Sequence, residues 1–325
     1  MHPALPLLAA LLAPLAPAQP ADGTLLESTP CPANTTTYDE YVKAALANVA
    51  DEAKLAEKEG LQMEVPPDYA SRLLSREEYE KRRAYKGLEC RRIVYASDGL
   101  RVAGYLWKPK ETVGKQLPLV IFNRGGVGDY GKLTPWRLSE GFYPFVSQGF
   151  VVLASQYREE GDEFGGADVH DVLNLIPLAA RLGYVDMNNI FLYGWSRGGM
   201  MTYLALKAGI PANAAAVGSG LSDLATTNYV SDDKVRERSA LAWPEQINAP
   251  LLILAGTADW RAKVGDQALP LAARLQKLGK PYQLIIYSGD DHGLSLNKAD
   301  AEQHVIDWFR AHVRLRRIRK TPIRS

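Results

Sequence analysis

Helical spacing of apolar residues marks the first ordered part of the chain. A capping box at Thr37 to Glu40 precedes one amphipathic helix that stops at Gly60, and a second capping signal at Ser75 begins a more polar helix that ends near Gly87. We therefore predict a helical arm ahead of the main domain.

The spacing then changes to strands. Residues 88–95 and 100–108 alternate between apolar and polar around Ser97-Asp98-Gly99, which predicts an antiparallel hairpin at a sheet edge. Continuous apolar runs follow and alternate with helix-length segments, as is typical of parallel strands buried on both faces. The runs are 117–122, 150–154, 190–193, 214–217, 251–254 and 283–287. The sequence thus predicts an α/β fold with a doubly wound, mostly parallel sheet and an N-terminal helical arm.

Length and charge fit this architecture. The 325 residues suffice for one large α/β domain with an appendage. The 38 Lys and Arg residues balance 37 Asp and Glu residues, so no global field favours nucleic acid as a partner. Beyond the first residues we expect no membrane span, because no later stretch is long and apolar enough.

The two ends of the chain carry separate signals. Residues 1–18 form a short apolar run that ends in Ala16-x-Ala18, which predicts a signal peptide and export to the periplasm or medium. The arm is then 19–87, the α/β domain 88–313, and 314–325 a basic tail that is either a solvated terminus or an anchor to an anionic surface.

The sequence contains two cysteines, Cys31 and Cys90. Export would allow them to form a disulfide that ties the arm to the first predicted strand. The alternative is a pair of unrelated buried thiols.

A Gly-x-Ser-x-Gly pattern follows the apolar run that begins at Ile190. Gly194, Ser196 and Gly198 occupy its fixed positions, and apolar residues of a predicted helix come next. A serine at a tight strand-to-helix turn exposes its hydroxyl, and flanking glycines avoid collisions with neighbouring elements. This predicts a nucleophile elbow.

A nucleophilic serine needs a base, and histidine suits that role. Of the five histidines, His2 lies in the predicted signal peptide, whereas His170, His304 and His312 fall on predicted helices. His292 remains, in a turn directly after the last apolar run. We therefore predict His292 as the general base.

The acid that orients the histidine should follow an earlier strand, in the chain order Ser, Asp, His. Asp259 stands in this position after the run that begins at Leu251. Asp223, after the preceding run, is the first alternative, and Asp290 and Asp291 beside the histidine are less favoured because turn chemistry explains them.

Acyl transfer also needs donors for an oxyanion. The Arg197 N–H follows the serine, and Gly125 lies in the loop after the first long apolar run, so we predict these two backbone groups as donors. The loop lacks both a Walker lysine and a Gly-x-Gly-x-x-Gly pattern, which argues against phosphate binding. No cluster of His, Cys, Asp or Glu has ligand spacing, so no metal or other cofactor is implied.

Over residues 88–313 these motifs resemble the catalytic domain of the prolyl oligopeptidase family, within the α/β-hydrolase superfamily. The matching segments are Gly194-Trp-Ser-Arg-Gly-Gly199, Ala255-Gly-Thr-Ala-Asp259-Trp260, Asp291-His-Gly293 and Gln156-Tyr-Arg-Glu159. The resemblance implies a serine hydrolase with a Ser196, Asp259 and His292 triad and an acyl-enzyme intermediate.

Departures from the family pattern concern the substrate. Arg124-Gly-Gly-Val127 replaces the family's His-Gly-Gly-Pro, so Arg124 is expected to hold either a substrate carboxylate or a loop partner. The helical arm stands where the family carries a β-propeller. Short peptides or similar small amides and esters are the expected substrates, with a dienelactone-hydrolase-like or acetyl-esterase-like carboxylesterase as the alternative and a non-catalytic binding module as a further one. Further predicted substrate contacts are Trp195, Tyr229, Trp243 and Trp260, and residues 221–247 are a predicted lid.

Overall fold

The computed structural model describes residues 19–315, with the backbone alone for 135–140. The predicted signal peptide and most of the basic tail lie outside the described residues. Within them one sheet contains β1 (Leu25–Pro30), β2 (Leu88–Ser97), β3 (Leu100–Pro109), β4 (Leu117–Asn123), β5 (Val151–Ser155), β6 (Val185–Trp195), β7 (Ala214–Gly218), β8 (Leu251–Gly256) and β9 (Tyr282–Tyr287).

The apolar runs form the parallel part of this sheet. The strand order is β1-β2-β3-β5-β4-β6-β7-β8-β9, and the pairs from β5 to β9 are all parallel. Both faces are covered by apolar cores, one containing Ile190 and Leu192 and the other Phe191 and Tyr193. Alternate residues of β6 thus serve opposite cores, which is why its sequence is continuously apolar. The predicted doubly wound, mostly parallel fold is confirmed.

Helices connect the strands and form the arm. They are α1 (Tyr38–Lys58), α2 (Tyr69–Leu73), α3 (Arg76–Ala84), α4 (Pro135–Val146), α5 (Asp168–Leu173), α6 (Leu175–Arg181), α7 (Arg197–Lys207), α8 (Asp232–Arg238), α9 (Ala268–Lys277) and α10 (Lys298–Ala311). No helix among residues 19–315 combines the length and the apolar character that crossing a bilayer requires.

The predicted hairpin is present as β2 and β3, but β1 covers its outer edge. The sequence does not predict β1, because most of its residues are exposed and their strand conformation depends on pairing with β2. The disulfide between Cys31 and Cys90 is confirmed, with a Cα to Cα distance of 5.4 Å. It fixes the chain immediately after β1 to β2, and the Cys31 N–H also donates to the Cys90 carbonyl.

The arm has a small core of its own. Tyr38 and Tyr41 of α1 pack with Tyr79 of α3, with ring centroids 5.2 to 5.7 Å apart. The predicted capping box at the start of α1 is present, with reciprocal hydrogen bonds between Thr37 and Glu40. These contacts hold α1 and α3 together as a unit.

Candidate active site

Ser196 stands between the end of β6 and the start of α7. Its backbone has φ 56° and ψ −123°, a region that non-glycine residues rarely adopt. A Cβ at Gly194 would lie 2.0 Å from the Gly198 carbonyl oxygen, and one at Gly198 would lie 1.9 Å from the Asn123 carbonyl oxygen. Both glycines are therefore required by close backbone approaches, as expected for a nucleophile elbow.

Asp259 and His292 meet at the same edge of the sheet. His292 Nδ1 lies 2.9 Å from Oδ2 and 3.0 Å from Oδ1 of Asp259. The backbone N–H groups of Arg261 and Ala262 each donate to Asp259 Oδ1 at 2.9 Å. The carboxylate is thus buried, aimed at the imidazole and fixed by two amides.

The environment of Asp259 favours its ionised form. Burial raises the pKa of this carboxyl, but the charge of His292, its hydrogen bond and the two amides outweigh burial, so the pKa lies below its ordinary value. An ionised Asp259 can hold the Nδ1–H tautomer of His292 and stabilise an imidazolium.

The three alternative acids, Asp223, Asp290 and Asp291, accept hydrogen bonds from loop backbone groups. Asp223 Oδ1 accepts the Ala225 N–H and caps a short turn. Asp290 accepts backbone N–H groups of the turn after the histidine, and Asp291 accepts from Gly293 and Ser295. Within the described residues these three carboxylates organise loops, and Asp259 is the carboxylate that is hydrogen-bonded to the His292 imidazole.

The loop after β4 lies against the elbow. A Cβ at Gly125 would be 3.3 Å from Ser196 Cβ and 3.0 Å from the Trp195 carbonyl oxygen, so the Gly125 backbone is in contact with the serine. Arg197 is the first residue of α7, where N–H groups have no acceptor within the helix. This places both predicted oxyanion donors beside Ser196.

Arg124 does not face a substrate. Its side chain donates to backbone carbonyls, and the residue is only 3% exposed. The acceptors are the carbonyls of Gly125, Gly128, Tyr130 and Gln156. The prediction that it holds a substrate carboxylate is wrong, because these carbonyls occupy its donors; it is a loop partner.

Trp243 is also misplaced by the sequence prediction. It is buried in the core, its Nε1–H donates to the Glu237 carbonyl, and the Lys207 ammonium lies over its ring. Lys207 ends α7, about 16 Å along the helix from Ser196 at 1.5 Å per residue. A role for Trp243 in the substrate pocket is therefore wrong.

The other predicted contacts lie nearer the site. The Trp195 indole N–H donates to the His292 carbonyl at 3.0 Å and so supports the histidine turn. The Tyr229 ring stacks on Phe164 at 5.0 Å. Trp260 follows Asp259 directly and lies beneath the Arg261 guanidinium. Contact of Trp195, Tyr229 and Trp260 with a substrate stays a prediction.

Sequence reasoning missed the side chain of Arg197. This arginine is 1% exposed and forms ion pairs with Asp162 and Asp168, and it also donates to the Gly126 carbonyl at 3.1 Å. It thereby ties the start of α7 to the loops after β4 and β5. Acidic residues cluster after the Tyr157-Arg158 segment, but that signal alone does not identify their partner.

Comparisons with known proteins give the family that the chain resembles. The prolyl oligopeptidase family model matches residues 136–316, more than half of the chain. The chain is 32% identical to the uncharacterized peptidase YtmA of Bacillus subtilis over 62% of this chain and 84% of that protein. It is 24% identical to acylamino-acid-releasing enzyme 1 of Oryza sativa subsp. japonica over 64% of this chain and 31% of that enzyme.

Solved structures show the same fold. An acylaminoacyl peptidase in complex with Z-Gly-Gly-Phe-chloromethyl ketone matches with a TM-score of 0.62 and 23% identity, over 72% of this chain and 43% of that one. Dipeptidyl peptidase 4 of Porphyromonas gingivalis matches with a TM-score of 0.62 and 19% identity, over 72% and 37%. The chain thus spans most of YtmA but less than half of these longer relatives.

Proposed function

Because the chain belongs to the prolyl oligopeptidase family, a family of hydrolases, we propose that it is a serine hydrolase with Ser196, Asp259 and His292 as its catalytic triad. The observation that carries this proposal is the hydrogen bond between Asp259 and His292, formed at the sheet edge that also presents the Ser196 elbow. In open parallel sheets, reactive groups are placed on such loops beyond the strand ends.

The proposed mechanism is two-step acyl transfer. His292 takes the hydroxyl proton of Ser196 as Ser196 Oγ attacks the substrate carbonyl, and the resulting imidazolium then protonates the leaving group. Water, deprotonated by His292, attacks the acyl-enzyme, and the imidazolium returns that proton to Ser196 Oγ as the acid is released. Asp259 keeps the imidazole oriented throughout.

The N–H groups of Arg197 and Gly125 are the proposed oxyanion donors. Both belong to backbone that is already fixed, since the Arg197 side chain is locked by ion pairs and the Gly125 carbonyl accepts from Arg124. Donors that need no reorganisation during the reaction stabilise the transition state most effectively.

Short peptides are the proposed substrates. The relatives are named as peptidases and acylamino-acid-releasing enzymes, which supports cleavage of a peptide amide rather than of an ester alone. The same acyl transfer would also cleave an activated ester, so amide turnover is the distinguishing property.

Steady-state assays separate these activities. We expect hydrolysis of aminoacyl-nitroanilides as well as short-chain nitrophenyl esters, and loss of both in Ser196→Ala. Ester turnover without amide turnover would favour a carboxylesterase. If neither substrate is hydrolysed and a fluorophosphonate labels the wild type no faster than Ser196→Ala, the catalytic assignment is wrong and a binding module is favoured.

We also propose that the protein acts after export. The disulfide between Cys31 and Cys90 supports this, because such bonds persist in oxidising compartments. Cell fractionation with N-terminal sequencing tests it: a mature chain that begins at Gln19 is expected, and an uncleaved cytoplasmic chain would contradict the proposal.

A further inference from the structure

The arm touches two loops of the candidate active site through one carboxylate. Glu52 of α1 accepts the Tyr130 hydroxyl at 2.6 Å and pairs with Arg261 Nη2 at 2.8 Å. The side chains of Glu52 and Arg261 are 21% and 15% exposed, so this pair is better shielded from water than an ordinary surface ion pair.

These two loops lie on opposite sides of the serine. Tyr130 belongs to the loop after β4, and Arg261 to the loop after β8. In the sheet, β6 and β7 separate β4 from β8, a span of about 14 Å at the usual spacing between strands. Since Ser196 ends β6, the tie between Tyr130 and Arg261 crosses the edge on which the serine stands.

The side chains of Tyr130 and Arg261 reach across the space between the two loops. The Arg261 guanidinium lies 5.6 Å from the Tyr130 ring centroid and 5.0 Å from that of Trp260. A cation held against two aromatic rings and paired with Glu52 forms a bridge, which we call the latch: Glu52, Tyr130 and Arg261.

The remainder of the arm is anchored beside the site. The Tyr69 phenol of α2 lies near Asp291 and Ser295 in the turn that carries His292, and burial together with the Asp291 charge raises its pKa. Arg82 of α3 pairs with Glu302 of α10 at 3.4 Å, and its guanidinium lies over the Tyr143 ring. The arm therefore contacts the loops after β4, β8 and β9, all of which surround Ser196.

We propose that α1 forms a roof over the substrate cleft and that the latch sets substrate length. Short acyl substrates reach Ser196 beneath the closed latch, whereas longer chains need it to open. This inference rests on the proposed function, because it takes Ser196 as the nucleophile.

Labelling of Ser196 by two organophosphorus fluorides tests access without assuming an amide or an ester substrate. One probe is a small dialkyl fluorophosphate, and the other carries a bulky dye on a peptide-length linker. In Glu52→Ala we expect the labelling rate of the bulky probe to rise about tenfold and that of the small probe to change less than about twofold. Tyr130→Phe, which removes a single hydroxyl, should shift the ratio in the same direction by a smaller factor.

Asp51→Ala is the matched control. It removes the neighbouring carboxylate of α1, whose partner Lys54 lies on the same helix with both side chains largely exposed. Both rates should stay at the wild-type level, and thermal unfolding should show all three variants folded.

An unchanged ratio of the two rates in both Glu52→Ala and Tyr130→Phe overturns the latch while leaving the serine nucleophile intact. An equal fall of both rates also overturns it, because the contact would then position the site rather than restrict entry. If neither probe labels the wild type, the proposed function fails and the latch fails with it.

Discussion

Replacing Arg197 with methionine tests how much the buried ion pairs next to Ser196 stabilise the protein. Methionine keeps much of the side-chain volume but removes the guanidinium that pairs with Asp162 and Asp168. Asp168 is fully buried, and its remaining partners are the N–H groups of Gly165 and Gly166. The substitution therefore leaves a buried carboxylate without its cation.

The size of the effect follows from that burial. Removing one partner of a buried ion pair costs about 3–5 kcal/mol, whereas an exposed pair contributes about 0–1 kcal/mol. The matched control is Arg72→Met, which breaks a pair with Asp68 whose side chains are 42% and 53% exposed. We expect Arg197→Met to lower the free energy of unfolding by several times the loss in the control.

Urea unfolding followed by tryptophan fluorescence measures this difference, with the disulfide kept oxidised. Urea is preferred to guanidinium because a salt would screen the charges under test. A third variant combines Arg197→Met with Asp162→Asn and Asp168→Asn, and it should recover more than half of the lost stability. If that variant is no more stable than Arg197→Met alone, uncompensated charge is not the cause and the reasoning fails.

Three further predictions concern the acid, the disulfide and pH. Asp259→Asn should lower kcat by about 10⁴-fold with the fold retained, because the amide favours the wrong imidazole tautomer; ester hydrolysis with a circular dichroism control measures it. Replacing both Cys31 and Cys90 with serine should lower the free energy of unfolding by about 4 kcal/mol, the value that loop entropy gives for a sequence separation of 59. A loss under about 1 kcal/mol in urea unfolding would contradict this. Burial raises the pKa of Asp162, but Arg197 outweighs burial and the folded-state pKa is lowered. The unfolded chain then binds more protons in acid, so stability should fall as the pH drops through about 4, and Asp162→Asn should show a shallower acid slope in urea unfolding at several pH values.

The parts of the fold that the sequence predicts are those whose pattern is set by burial on both faces. The inner parallel strands are continuous apolar runs because each lies between two cores, whereas the edge strand β9 is only partly buried. β1 has no such pattern: its residues are mostly exposed, and the disulfide next to it and the pairing with β2 determine its place. Local sequence cannot show a strand whose stability comes from distant partners.

The candidate triad was predictable for a related reason. Ser196, Asp259 and His292 each lie at or shortly after the carboxyl end of a parallel strand, so chain order and strand ends limit the choice to a few residues. Arg124 and Trp243 were placed wrongly because their side chains point into the protein, and no local pattern sets that direction. No sequence pattern identifies Glu52, because its contacts with Tyr130 and Arg261 form only when α1 packs against two loops that are far apart in the chain.

The contacts that fix the backbone of Ser196 and the latch that we propose to restrict substrate access lie in different parts of the molecule. The positive φ of Ser196 costs about 1–3 kcal/mol and persists because its surroundings over-determine it: Thr202 Oγ1 donates to the Gly198 carbonyl, and Asn123 Nδ2 donates to Thr202 Oγ1. These groups are buried between β4 and α7. Glu52, in contrast, reaches the site from a separate helix with its own tyrosine core. Under the proposed latch, changes in the arm would therefore alter which substrates enter, while Ser196 keeps the backbone geometry that the proposed acyl transfer requires.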